Sequence, residues 1–449
     1  MFEKIIGYEN EKAELAKFCD VIVNINYYKS LGISIPKGIL LYGAPGLGKT
    51  TFAYSIIEAC NVPHYVLRKN ADTSQFIENI IEVFTTASKN APSIVLLDDM
   101  DKYGNGDKYS PEYTSLQGAL DTFKTHDIFV IATVNEIFAL PPSLIRSGRF
   151  DQVIRINNPK DEESSMITNY YLDIKNINLD PTINRALVGR LLNGCSCATI
   201  ETVVNMAAIY SVYERAPYIT IQHMLDAVLN IVYDRPRVAR DSRTPEERYM
   251  LAIHEAGKAV VTYYLRPDLL SFITIRERNN SFNKNNDTIS TNGINSKLLD
   301  NLGVNFIDML KSICILVGGK TCYEMKFGTY STYADEDSHM SSLLIEDIMY
   351  SMGNSTIPSV ITMYDNDTII GKHGEIIPPD MNKPNFTDRK SIYEYCINCC
   401  RDILLRNWSM VESIANLLME RDTITIDDIY NLTRVGYSGN GMFRNLIQN

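Results

Sequence analysis

No stretch of this 449-residue chain holds the run of about 20 apolar residues that a bilayer-spanning helix needs. Its start, MFEKIIGYENEK, lacks the basic flank and apolar core of a secretion signal. Positive charge is also short. Lys and Arg number 43 against 54 Asp and Glu, so the formal net charge of −11 gives no general attraction to nucleic acid or an anionic membrane. The nine cysteines are odd in number and unevenly spread, which argues against a disulfide framework and for a reducing compartment. No internal repeat is visible. These absences leave a soluble globular protein, cytoplasmic or in another reducing compartment, and long enough for two or three domains.

What is present begins with PKGILLYGAPGLGKTTFAYSII (36–57), a pattern that predicts strand, glycine-rich loop and helix. Short apolar strands are expected at 93–97 and 128–132 with helical patterns between them, the alternation of a parallel sheet with crossover helices. From about 160 to 232 the pattern is helical. A polar connector, YDRPRVARDSRTPEER (233–248), leads into a second, mainly helical half. An Asn-rich loop near 279–292, a hairpin around 360–377 and a flexible tail from Gly436 complete the expectation.

GAPGLGKT, which is Gly43, Ala44, Pro45, Gly46, Leu47, Gly48, Lys49 and Thr50, fits G-x-x-x-x-G-K-T and is followed by Thr51. In such a loop backbone N–H groups close around phosphates, the lysine reaches the β and γ oxygens, and the Thr50 hydroxyl binds Mg2+. A chance glycine-rich turn is the plain alternative; the strand–loop–helix setting speaks against it. In IVLLDDMD (94–101) an apolar strand would deliver Asp98 to the magnesium shell and Asp99 to the position of the base that polarises water. Glutamate is usual there, and aspartate draws the carboxylate back by about one methylene, where positioning matters steeply. An acidic turn after a buried strand would read the same, although its place downstream of Lys49 favours the nucleotide reading. VIATVNEIFALPPSLIRSGRFD (130–151) follows, carrying Asn135, Arg146 and Arg149.

In the second half stands YMLAIHEAGKAVVTYYL (249–265). On a helix, positions i and i+4 share a face, so HExxH would aim two imidazoles at one zinc, with the glutamate beside its water. His254 and Glu255 are in place, but Lys258 stands where the second histidine would be. An ammonium has three donors and no lone pair. Deprotonating it from a pKa near 10.4 to below neutrality would cost roughly 5 kcal/mol before any repulsion from the metal. The cysteine group CINCC (396–400) has half of a metal-site spacing, but its helix is amphipathic and free cysteines act there as small core residues.

Taken together, these motifs resemble the AAA+ ATPases, and specifically the FtsH-type AAA+ metalloproteases, in order from IIGYENEK (5–12) to DTITIDDIYNL (422–432). The resemblance implies an α/β P-loop AAA+ ATPase domain, a parallel sheet (1–158) plus a helical lid (159–232). A linker (233–247), a mainly α-helical FtsH-like peptidase domain (248–435) and the tail (436–449) would follow. It implies ATP and Mg2+ as cofactors, Asn135 as the sensor of the γ-phosphate, and Arg146 and Arg149 as fingers reaching a neighbouring subunit's site. The implied partners are therefore self or paralogous subunits in a hexameric ring, with protein clients. Ile6 and Gly7, together with Cys195 to Ala198 of the lid, would flank the adenine. Asp337, in STYADEDSHM, would be the third zinc ligand, although an acidic helix start explains the same cluster.

The chain departs from the family in four ways. No membrane segment precedes the ATPase motifs, so a soluble relative or a shortened chain is expected. Asp99 replaces glutamate. The segment RKNADTSQFIENI (68–80) lacks the aromatic–apolar–glycine pore loop, and Phe76 is expected to pack inside rather than grip substrate. Lys258 is expected to occupy the metal's place and to pair with Asp337 or Glu255. The zinc site of His254, Lys258 and Asp337 is then vestigial and empty, and Glu255 is left without a metal-bound water. His339, two residues past Asp337 on a helix, faces away and does not replace the missing imidazole. Three functions remain open: a slow ATPase that remodels or chaperones proteins, a non-hydrolysing scaffold subunit of a mixed ring, and an ATP-dependent zinc protease with an unusual ligand set.

Overall fold

Short runs of Ile, Leu and Val, each bounded by turn residues, pair into a five-stranded parallel sheet in the computed structural model of the chain. The structure describes residues 1–69, 72–146, 148–174, 179–237, 241, 243–277, 306–330, 333, 335–351 and 388–436. The expected Asn-rich loop, hairpin and tail beyond Gly436 lie outside them. The chain divides into two compact units, Met1–Val232 and Tyr233–Asn449.

The first unit opens with α1 (Glu9–Val23) and α2 (Ile25–Ser30). Then come β1 (Gly38–Tyr42), α3 (Lys49–Cys60), β2 (His64–Leu67), α4 (Thr73–Lys89), β3 (Ser93–Leu97), α5 (Pro111–Thr122), β4 (Ile128–Val134) and β5 (Gln152–Arg155). The strand order is β2-β3-β4-β1-β5. Strand β4 runs two residues further than its apolar pattern suggested, because Thr133 and Val134 still pair with β1. The period of two is visible in the packing: Val130 belongs to the core beneath α4 and α5, while Phe129 meets Phe18 of α1 edge-on at 6.0 Å. Register sets the carboxyl ends of β1, β3 and β4 side by side, with Leu97 opposite Ala132 and Tyr42 opposite Val134. In open parallel sheets that edge is where ligands bind.

Helices α6 (Asp161–Ile174), α7 (Arg185–Leu191), α8 (Cys197–Tyr213) and α9 (Ile221–Ile231) complete the unit. Phe76 is wholly buried against Tyr103, ring centroids 4.8 Å apart, so the segment after β2 turns its aromatic residue inward as expected. An ion pair between a half-buried lysine and a buried glutamate fastens the same segment. Lys69 Nζ donates to Glu112 Oε1 at 2.9 Å and to the Tyr103 carbonyl at 2.6 Å, and the Thr73 hydroxyl donates to Glu112 at 2.7 Å.

In the second unit α10 (Pro245–Leu265) begins inside the polar connector, because Thr244 and Glu247 form a capping box and Pro245 takes the first helical position. It packs against α11 (Phe306–Phe327), with α12 (Asp335–Ser351), α13 (Arg389–Arg406), α14 (Trp408–Arg421) and α15 (Ile426–Gly436) around them. Strands β6 (Phe272–Thr274) and β7 (Thr423–Thr425) make a small antiparallel pair. Cys314, Cys396 and Cys400 are buried at the α11–α13 contact. The Cys400 thiol donates to the Cys314 carbonyl at 3.2 Å, and burial holds that thiol well above its ordinary pKa. They are core residues here.

The Glu112 pair carries a pH prediction. Burial pushes this carboxyl up, but Lys69 and the neighbouring hydroxyls prevail and bring its pKa to about 2. The unfolded value is about 4.3. The depressed value belongs to the folded state, so the stabilisation is complete above about pH 4.3 and drains away as pH falls towards the folded value. Urea unfolding of Glu112→Gln should show a loss of roughly 1–3 kcal/mol at neutral pH and a shallower decline in acid than the parent. An acid limb of equal slope would exclude Glu112 as a source of that decline.

Candidate functional site

The phosphate-type loop leaves β1 at Gly43 and enters α3 at Lys49. Gly46 has φ +79°, and a Cβ there would lie 2.9 Å from the Ser196 hydroxyl. Only glycine suits both the left-handed backbone and the close approach of α8. Ser196 caps α8, and the next turn closes on the loop, with the Ala198 N–H donating to the Gly46 carbonyl at 3.0 Å. Ala44, Pro45 and Gly46 are exposed. Lys49 is buried, its Nζ donating to the carbonyls of Gly43 and Ala44, both at 2.9 Å, and to Asn135 Oδ1 at 2.8 Å. Burial lowers its pKa from the ordinary lysine value.

Asp98, at the carboxyl end of β3, is buried and well supplied with donors. Its Oδ1 accepts from the Thr50 hydroxyl at 3.0 Å and from the Thr133 hydroxyl at 2.7 Å; its Oδ2 accepts from Arg68 Nε at 3.1 Å and from an Arg68 terminal nitrogen. Burial would raise this carboxyl, but the donors outweigh it and hold the pKa below its usual value. A threonine hydroxyl beside a carboxylate is the hard oxygen set that Mg2+ takes, so the residues fit the implied ion. Asp99 has a left-handed backbone, φ +52°. Its N–H donates to the Thr133 hydroxyl at 2.8 Å, and its carboxylate accepts from Lys102 at 2.6 Å.

The remaining residues surround this centre unevenly. Arg146 is exposed. Arg149 is buried and pairs within its own chain, with Nη2 2.7 Å from Asp121 Oδ2 and Nη1 donating to the Ser143 carbonyl at 2.6 Å. Ile6 and Gly7 precede Tyr8, whose N–H donates to Glu163 at 2.8 Å and whose hydroxyl donates to the Asn157 carbonyl at 3.0 Å. Sequence reasoning missed Arg68, Thr133 and Tyr8. Thr133 left a signal, as the polar residue in an otherwise apolar strand; Arg68 left none, since its partner is 30 residues away.

In the second unit His254, Glu255, Lys258 and Asp337 are all buried. Lys258 Nζ donates to both Asp337 oxygens, at 2.8 and 2.7 Å. Burial pushes Asp337 up, and the charge of Lys258 reverses that and holds the carboxyl below its ordinary value. Burial pushes Glu255 up. His254 Nε2 stands 3.8 Å from Asp337 Oδ2, beyond hydrogen-bond reach, and neither ring nitrogen has a hydrogen-bond partner. The ring lies against Gly319 of α11, where a Cβ would come within 2.6 Å of Nε2. His339 is exposed. Structural zinc takes four lone-pair donors and catalytic zinc three. Here His254 and Asp337 offer two, with Lys258 on both oxygens of the second, and no cluster of three His, Cys, Asp or Glu suited to a metal exists among the described residues. As folded, this set does not fit zinc.

Removing one partner of a buried ion pair leaves an uncompensated charge. Lys258→Ala should therefore destabilise the second unit by about 3 kcal/mol, and Lys258→Ala with Asp337→Ala by less than the sum of the two single changes. Additive losses in chemical unfolding would mean that the two side chains do not depend on each other.

Comparison with known proteins agrees with this geometry. Residues 39–158 match the ATPase family associated with various cellular activities (AAA). The chain is 30% identical to the ATP-dependent zinc metalloprotease FtsH 2 of Symbiobacterium thermophilum, over 79% of this chain and 62% of that protein. It is 25% identical to the ATP-dependent zinc metalloprotease FtsH of Alkalihalophilus pseudofirmus, over 97% of this chain and 66% of the relative. With the mitochondrial inner membrane m-AAA protease component YTA10 of Saccharomyces cerevisiae the identity is 26%, over 96% of this chain and 58% of the relative. The chain thus spans less than two thirds of the length of these relatives. Among the described residues no helix is long and apolar enough to cross a membrane. With a parallel sheet, its phosphate loop and acidic strand end, and a helical second unit built around HEAGK, the chain belongs to the FtsH-type AAA+ metalloprotease family.

Proposed function

We propose that this chain binds ATP with magnesium, hydrolyses it slowly as a subunit of a hexameric ring, and remodels or chaperones other proteins without cleaving them. The observation that carries the nucleotide reading is the meeting of Lys49, Thr50, Asp98 and Asn135 at the carboxyl ends of β1, β3 and β4. Loop N–H groups and Lys49 bind the phosphates, and Thr50 and Asp98 hold the metal, which supplies neutralising positive charge. Asn135 turns from Lys49 towards the γ-phosphate. Asp99 orients the attacking water from a side chain one methylene short, and Lys102 occupies one of its oxygens. Arg146 and Arg149 serve the neighbouring subunit, Arg149 after exchanging Asp121 for phosphate. In this reading residues 1–158 and 159–232 are the ATPase core and lid, and 248–435 the peptidase-derived domain.

The absence of proteolysis rests on Lys258. Its ammonium takes the carboxylate that a metal would need, leaving Glu255 no metal-bound water to activate. A second reading, a non-hydrolysing scaffold subunit in a mixed ring, draws its support from the Lys102 hold on Asp99.

Lys49→Ala should abolish nucleotide binding, whereas Asp99→Glu should leave binding intact and raise steady-state turnover several-fold. A fall in turnover with Asp99→Glu would show that aspartate is adapted to its place. No turnover in either form would favour the scaffold.

Purified protein with ATP should scatter light as an assembly near six subunits, carry far less than one zinc per chain, and leave casein intact. One zinc per chain, lost together with casein cleavage in His254→Ala, would overturn the inactive-peptidase reading. A strict monomer would remove the role given to Arg146 and Arg149.

A further inference from the structure

Arg68 is the first residue beyond β2, and the nucleotide reading gives it no task. Its guanidinium nevertheless holds the carboxylate on which that reading depends. Asp98 spends Oδ1 on the hydroxyls of Thr50 and Thr133, and its Oδ2 lies against Arg68 Nε and a terminal nitrogen. The two partners differ sharply in exposure, 59% for the Arg68 side chain and 1% for Asp98. A carboxylate that deep needs a cation beside it, whereas an arginine so exposed can swing into water at little cost. Magnesium and guanidinium are both candidates for that place. Two positive charges at one carboxylate repel each other, so the occupants are alternatives.

We propose that Arg68 is the resident counter-ion of Asp98 in the nucleotide-free chain, and that it must be displaced before magnesium can be held. The proposal rests on the nucleotide reading and adds a regulation of the same site. Every binding event of magnesium with nucleotide then pays the population of the locked form, which weakens its apparent affinity by the locked-to-open ratio. Nucleotide without magnesium is affected in the opposite sense. Arg68 is then the nearest cation able to turn towards the phosphates, and it partly replaces the missing metal. Arg68 therefore narrows the difference between nucleotide affinities with and without magnesium. Lys69, the next residue, is pinned to Tyr103 and Glu112, so the exchange is a motion of the Arg68 side chain about an anchored backbone.

The test is equilibrium binding of a fluorescent ATP analogue to the full chain, in EDTA and in saturating magnesium. The quantity read is the ratio of the two Kd values. Arg68→Ala should widen that ratio about fivefold, the scale of one part-exposed charge pair. Arg68→Lys, which keeps the charge but not the planar fork, should widen it less. Arg68→Gln provides a second neutral variant, and circular dichroism checks that each is folded. A folded Arg68→Ala that binds nucleotide with an unchanged or narrowed ratio overturns the competition while leaving the nucleotide reading in place. A parent chain that binds nucleotide in neither condition overturns the nucleotide reading itself, and this inference with it.

Discussion

A carboxylate removed from water needs a cation or strong donors beside it, and Asp98 and Asp337 both answer that need with a cation of the chain itself. Asp98 and Asp337 are each buried, and each stands where the family resemblance would place a metal. Each has instead a side chain of its own chain against it, Arg68 in the first unit and Lys258 in the second. The two cases differ in what surrounds the cation. Lys258 is 1% exposed, so neither member of its pair can leave without stranding the other. The Arg68 head lies largely in water, and withdrawing it costs little. One pair is thus a permanent part of a core and the other an exchangeable occupant, although the carboxylates are buried alike.

Much of the fold was legible because it rests on local signals. Apolar runs bounded by turns marked β3 and β4, and the glycine-rich loop marked the joint between β1 and α3. The connector was read too long, because Thr244, Pro245 and Glu247 look polar and loop-like singly, and only their spacing identifies a helix start. Phe76 was legible as a core residue from its helical setting. The pairing of Lys69 with Glu112 was not, since they stand 43 positions apart and neither sits in a recognisable motif.

Of the candidate sites, the motif residues could be named in advance, and the partners that tune them could not. Lys49, Thr50 and Asp98 lie on segments whose register brings them together, so naming the motif was almost naming the contact. Arg68 is invisible at that level. It directly follows β2, which lies next to β3 in the sheet, and only that adjacency sets it beside Asp98. Of the two carboxylates considered for Lys258, the structure selects Asp337. An i to i+3 neighbour such as Glu255 shares its helix, but Asp337 approaches from α12, where it can present both oxygens to one ammonium.

The tolerance of the second unit for its lysine follows from the same geometry. The arrangement needs room for His254 beside α11, and Gly319 provides it by having no Cβ to meet the ring. His254 is then enclosed with neither ring nitrogen hydrogen-bonded. Burying an imidazole without a hydrogen bond costs free energy, and the Asp337 carboxylate 3.8 Å from Nε2 offsets part of it. Asp337 thus faces both the Lys258 ammonium and the His254 ring, and with the packing of α10 on α11 it ties this part of the second unit together.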